Sequence, residues 1–298
     1  MTRVVLHVGY PKTATTWLQK VVLPRHPELV LLRRATPGCE WIQQLLADHP
    51  FDFTPDRHRA AIDASFAPLG ERVAFISHEA YLGDPFLGGI NSELAAPRLA
   101  ALFPDARIVI VIREQGAMID SLYRQYVQEG GVATPEQLFA DPSALRVRFA
   151  RGYLAYDRAC ALFAAHFGRA RVRVLLFERL LEAPDQFLGE LYDHCGVAHV
   201  PLVRSDDVGR NVGLASPALE ILRTANRVLT SSFQPQALLP MRSRTLRRAL
   251  QRRSARSSAA RPAVPEPLSA LLRASYREGN RRLRDELGLP VEQAGYAV

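Results

Sequence analysis

The run Arg107-Ile108-Val109-Ile110-Val111-Ile112-Arg113 constrains this chain more than any other segment. Five consecutive β-branched residues favour a strand, and the lack of polar alternation means that both faces of that strand are covered. Strands of this kind belong to parallel sheets held between layers of helices. Further short strand-like runs lie at Val4–Val8, Glu28–Leu32, Arg72–Ser77 and Arg171–Phe177. They alternate with helical patterns at Thr15–Leu23, Trp41–Ala47, Asp56–Phe66, Ser92–Phe103, Gly116–Glu129, Ser143–Phe167 and Pro184–Cys195. After Arg113, Ile119, Leu122, Tyr123 and Tyr126 form the apolar stripe of a core-facing helix. The alternation predicts an α/β fold, a three-layer doubly wound parallel sheet that binds ligands at the carboxyl ends of its strands. Past Arg204 the strand signals stop. A helix over Pro217–Leu229 is expected, then an arginine-rich stretch. A last amphipathic helix through Leu268, Leu271, Leu272, Tyr276, Leu283 and Leu287 follows, closed by Gly288 and Pro290 and packed back on the core. The expected organisation is a single domain over 1–298, with an α/β core at about 1–204 and a helical part at 205–298.

Composition narrows the class. With 48% hydrophobic and 23% charged residues the chain can fill a substantial core, which excludes wholesale disorder. No apolar run approaches the roughly 20 residues of a spanning helix. Arg3–Val8 reads directly into a strand without a signal-peptide pattern, which points to the cytoplasm. Cys39, Cys160 and Cys195 are far apart and lack metal-ligand spacing, so reduced thiols and no metal are expected. The net charge of +8 is matched by one stretch, Met241–Pro262, which holds eight arginines and no acid. The chain is therefore not a generally basic nucleic-acid binder, and no nucleic-acid recognition signature is present. A solvated connector is the favoured reading of that stretch. The other is contact with an anionic membrane or a polyanionic substrate.

The most informative segment is His7-Val8-Gly9-Tyr10-Pro11-Lys12-Thr13-Ala14-Thr15-Thr16-Trp17. A strand runs into a turn, then a lysine, hydroxyl residues and a helix start. Unpaired N–H groups and the positive end of the helix dipole make this a cradle for an anion. Apart from Lys20, Lys12 is the one lysine in a chain that otherwise uses arginine. A compact ammonium can follow a moving oxygen, whereas a guanidinium fork is rigid. The segment is not the Gly-x4-Gly-Lys phosphate loop, because Pro11 stands where the second glycine belongs. Pro11-Lys12-Thr13-Ala14-Thr15-Thr16-Trp17 instead resembles the 5′-phosphosulfate loop of sulfotransferases that use PAPS (3′-phosphoadenosine 5′-phosphosulfate).

A second motif lies further along. Arg113 ends a buried strand, and Ser121 follows eight residues later in the next helix, off its apolar stripe. A fork of donors and a small hydroxyl suit a phosphate monoester. The Arg-x7-Ser spacing is similar to the 3′-phosphate site of the same family, and Ser-Leu-Tyr-Arg-Gln-Tyr looks like its bacterial branch. Glu114-Gln115 departs from the Asn/Asp-Pro common after that arginine. Leu175-Leu176-Phe177-Glu178-Arg179-Leu180 looks like a later family strand and corner, which sets Phe177 near the adenine or in the core. Tyr276–Leu283 looks like the family's C-terminal helix.

The resemblance implies a P-loop-NTPase-like sulfotransferase fold and PAPS as co-substrate, with adenosine 3′,5′-bisphosphate as product. Pro11 through Trp17 would hold the 5′-phosphosulfate, Lys12 would stabilise the leaving oxygen, and Arg113 with Ser121 would bind the 3′-phosphate. For the acceptor proton the sequence offers His78 and Glu79, after the third strand and hence at the ligand edge. Imidazole is a natural base at neutral pH, and Glu79 competes as base or as the group that orients His78. His7 reads as core or as a supporting partner. A P-loop phosphotransferase and a non-catalytic 3′-phosphonucleotide-binding module are the alternatives. The acceptor is open among small molecule, glycan and lipid, and the oligomeric state is open too.

Overall fold

A computed structural model describes residues 2–89, 91–140, 149–202, 216–231, 233, 239–242 and 262–298. Strands β1 (Val4–Gly9), β2 (Leu29–Leu32), β3 (Val73–Ser77), β4 (Arg107–Ile112) and β5 (Val172–Leu176) form one sheet in the order β2-β3-β1-β4-β5. Every neighbouring pair is parallel. Alternate residues of each strand enter opposite cores. Leu6, Val8, Ile76, Ile108, Ile110 and Ile112 fill one, against the helices Ser92–Leu102 and Tyr156–Phe167. Val5, Val73, Phe75, Val109, Val111 and Leu175 fill the other, against Pro184–Cys195. Two apolar faces per strand explain the continuous runs, and the expected α/β architecture with a parallel sheet between helix layers is the one observed.

Several boundaries differ from expectation for local reasons. The first helix covers only Thr15–Trp17 and continues as a π turn over Leu18–Val22, then a 3₁₀ turn over Leu23–Arg25. Pro24 has no N–H to donate back along a regular helix. Ser143–Phe167 was expected as one helix. The described part holds a 3₁₀ turn at Arg151–Leu154 and a helix at Tyr156–Phe167, and residues 143–148 lie outside the described residues. Phe177 opens a short helix, Phe177–Glu182, and does not end β5. The expected Pro217–Leu229 helix spans Ser216–Ala225. Strands do not stop at Arg204, because β6 (Leu229–Thr230) pairs in parallel with β7 (Leu239–Arg242). The last helix is broken at Ser275–Tyr276 into Glu266–Ala274 and Arg277–Leu287, the second ending on left-handed Gly288. It packs on the core as expected, with Arg282 paired to Asp157 at 2.8 Å.

Of the basic stretch, the arginines from Arg244 to Arg261 lie outside the described residues. All three cysteines are free and buried. Among the described residues no helix is long and apolar enough to cross a membrane, and no group of three potential metal ligands occurs.

Candidate functional site

The loop after β1 is built from backbone that most residues avoid. Lys12 (φ 65°) and Ala14 (φ 62°) are left-handed although neither is glycine. Such strain persists only where the surroundings impose it, and it turns successive N–H groups into a concavity suited to an anion. The N–H groups of Lys12, Thr13 and Ala14 have no backbone acceptor among the described residues. Ala14, before the first helical turn, gives no side-chain cap. The Thr13 hydroxyl donates to Tyr10 O at 2.6 Å, so it shapes the loop and does not face the cleft. Thr15 Oγ1 is buried without a hydrogen-bond partner, while Thr16 is exposed. Pro11 is buried, and the Trp17 side chain, 8% exposed, packs in the second core, which leaves only its backbone to meet a ligand. His7 is fully buried, with Nδ1 2.8 Å from Ser77 Oγ; Gln19 Nε2 donates to the same oxygen. Burial pushes its imidazole down to about 4, and its contacts lie with β3.

Gly9 fits because its φ of 139° and the close approach of the chain after β3 exclude a side chain. A Cβ there would lie 3.0 Å from Glu79 O and 3.2 Å from Leu82 Cδ1. This contact brings the 3₁₀ turn Glu79–Leu82 against the loop. His78, half-buried, sets its ring edge-on to Tyr81 at 5.0 Å. Burial, with help from Arg34, holds its pKa at about 4. The Glu79 side chain is exposed at the rim. Desolvation raises its carboxyl above the ordinary range, opposed by the positive charges of Arg34 and Lys12. Lys12 answers in kind: partial desolvation lowers its ammonium, Glu129 and Glu79 oppose that, and Arg113 adds to it. Lys12 thus feels the charges of Glu129, Glu79 and Arg113, and His78 and Glu79 feel that of Arg34.

Arg113 leaves β4 half-buried, its Nη1 3.2 Å from Lys12 O and its guanidinium over the Phe177 ring at 4.8 Å. The two anion sites read from sequence therefore touch. Glu114 takes the place of the usual Asn/Asp as N-cap, its carboxylate accepting from Gly116 N (2.8 Å) and Ala117 N (2.7 Å). The Gln115–Gln128 helix then starts from the carboxyl end of β4. Ser121 and Gln125, four apart, lie on one stripe of it, and Glu129 just beyond extends that stripe. Gln125 Nε2 donates to Glu129 Oε1 at 2.8 Å. Sequence reading missed Arg34, Glu129 and Glu178, which look like ordinary surface charges until folding gathers them.

Beside the loop lies a cavity of about 510 Å³, whose wall includes Tyr10, Leu82, Ser92, Glu93, Tyr153 and Arg158. Of the loop after β1, Tyr10 is the residue that lines it. Tyr10 packs edge-on against Tyr153 (5.2 Å) and Tyr156 (4.8 Å).

Residues 89–201 match a family model described as the sulfotransferase family. Over that segment the chain is similar to the sulfotransferase family. A crystal structure of a sulfotransferase from Alicyclobacillus acidocaldarius has a TM-score of 0.51 and 20% identity, covering 76% of this chain and 94% of that one. The sulfotransferase domain of the Synechococcus PCC 7002 olefin synthase gives a TM-score of 0.42 and 17% identity, over 87% and 95%. Mouse sulfotransferase SULT7A1 complexed with PAP gives 0.44 and 12%, over 98% and 88%. No curated protein matches the chain. The matched sulfotransferase segment contains Arg113, Ser121 and Phe177. The Lys12 loop, His78 and Glu79 lie before it and rest on their own geometry.

Proposed function

We propose that this protein transfers a sulfuryl group from PAPS to a hydroxyl of a small acceptor, releasing adenosine 3′,5′-bisphosphate. The observation that carries this reading is the junction of the two anion sites through Arg113 Nη1 and Lys12 O. A nucleotide with anionic groups on both its 5′ and 3′ positions needs two such sites side by side. The unpaired loop N–H groups and the orphaned Thr15 Oγ1 fit an anionic ligand, since buried polar atoms seldom go unmatched.

The loop N–H groups and Thr16 bind the 5′-phosphosulfate, and Arg113 with Ser121 takes the 3′-phosphate. Phe177 supports the Arg113 guanidinium from below. The acceptor presents its hydroxyl to Glu79. The acceptor O–S bond forms as the bond from sulfur to the 5′-phosphate oxygen breaks. Glu79 takes the acceptor proton, and Lys12 compensates the charge that grows on the leaving oxygen. The base is assigned to Glu79, whose carboxylate stands exposed at the rim and is raised by desolvation, whereas burial lowers the His78 imidazole. His78 stays neutral beside it.

Adenosine 3′,5′-bisphosphate at about 100 times its dissociation constant should stabilise the fold by about 2.7 kcal/mol. A thermal shift of several degrees with that nucleotide, and none with ATP, is expected. Stabilisation by ATP alone would favour a phosphotransferase and overturn the reading. Arg113→Ala should weaken adenosine 3′,5′-bisphosphate by about 1.5–3 kcal/mol, the range for charge-assisted contacts, and leave AMP nearly unaffected. Calorimetry on both nucleotides checks this, and equal losses would move Arg113 away from the 3′-phosphate.

A further inference from the structure

Three consecutive residues of the turn that carries Arg113 are tethered by different partners. Tyr156 OH donates to Arg113 O at 2.7 Å. Glu114 N donates to Glu178 Oε1 at 2.9 Å. Gln115 Nε2 donates to Asn280 Oδ1 at 2.8 Å. Each tether leads to one segment far along the chain. Tyr296 OH donates to Glu178 Oε2 at 3.3 Å, its ring lies edge-on to Tyr156 at 6.5 Å, and Asn280 Nδ2 donates to Ala297 O at 2.8 Å. Tyr296, Asn280, Gln115 and Tyr156 are all nearly or fully buried, so these bonds are made away from bulk water, where a lost partner is costly.

We propose that segment Val291–Val298 is a positioning strap for the 3′-phosphate site: Tyr296, acting through Glu178, and Ala297, acting through Asn280, hold the Arg113–Gln115 turn in register with the Lys12 loop. The inference rests on the reading of Arg113 as the 3′-phosphate ligand. None of the strap residues needs to touch the nucleotide. A chain leaving a strand end has freedom in its first turn, and a guanidinium displaced by about 1 Å loses the alignment that charge-assisted bonds require. The strap removes that freedom from the far side of the turn. The Glu178 carboxylate also lies near Arg113, where its negative charge favours the charged guanidinium.

The test is a discrimination ratio, the dissociation constant for AMP divided by that for adenosine 3′,5′-bisphosphate, measured by calorimetry on the full chain. Tyr296→Phe removes one hydroxyl and keeps the ring. It should lower the ratio about two- to tenfold, the range of one net hydrogen bond, with AMP affinity unchanged. Truncation after Gly295 removes both the hydroxyl and the Ala297 carbonyl and should lower it further. A strap that served only general stability would lower the melting temperature or both affinities together and leave the ratio intact, which would overturn the proposal. If the truncated chain fails to fold, Tyr296→Phe decides alone. A wild-type ratio near one would defeat the donor reading and the strap with it. A high wild-type ratio that collapses in Arg113→Ala yet survives Tyr296→Phe would defeat the strap alone.

Discussion

Lys12→Ala should lower kcat by at least about 100-fold while donor affinity changes far less, by analogy with removing a preorganised donor from an oxyanion site. Partial desolvation and the neighbouring Arg113 lower the Lys12 ammonium, which makes it a readier donor to an oxygen that is gaining charge. The interaction strengthens as the bond to sulfur breaks, so its loss appears in the transition state more than in the ground state. The left-handed backbone at Lys12 is no easier for alanine than for lysine, so the loop strain is common to both proteins. Lys12→Arg keeps the charge and makes a useful second variant. Its planar fork is less able to follow the leaving oxygen, so it should rescue donor binding more than turnover. Single-turnover kinetics with nucleotide titrations separate the two quantities. Losses of equal size in kcat and donor affinity would reduce Lys12 to a plain anion anchor.

The parts of this site that were legible in the sequence are those carried by short, local signals. The β4 run is continuous because Ile108, Ile110 and Ile112 enter one core while Val109 and Val111 enter the other. The strand-loop-helix at Lys12 and the Arg113–Ser121 spacing fall within single segments, so they could be singled out as candidates before the fold was known. Trp17 shows the limit of a motif: it sits in the right string of residues, but its side chain serves the core. β6 and β7 are too short to leave an apolar run, and the break in the first helix depends on one proline. What reaches the site through distant segments left no trace in the pattern. Tyr296 meets Glu178 across 118 residues, and Asn280 meets Gln115 across 165. Glu129 influences Lys12 from beyond the end of the Gln115–Gln128 helix, and before folding it reads as a solvated charge.

Glu79→Gln should cost about 100-fold or more in kcat/KM, the usual scale for removing a general base, and should abolish the acid limb of the pH profile. On the proposed mechanism the base works as a carboxylate, so the rate should rise with pH as Glu79 loses its proton. Desolvation outweighs the opposing charges of Arg34 and Lys12 and places that limb above the position of an ordinary glutamate. His78 gives the contrasting forecast. Its imidazole, held at about 4 by burial and Arg34, is already neutral above that pH, so a profile governed by it would break near 4. His78→Gln should therefore leave the position of the limb set by Glu79, with a smaller loss in rate from altered packing against Tyr81. Glutamine at position 79 keeps the size and one carbonyl oxygen of the native side chain, so acceptor binding should change little and the loss should fall on turnover. The decisive comparison is the kcat/KM profile of the wild type and both variants from acid to neutral pH. A limb that survives Glu79→Gln and vanishes in His78→Gln would make His78 the base.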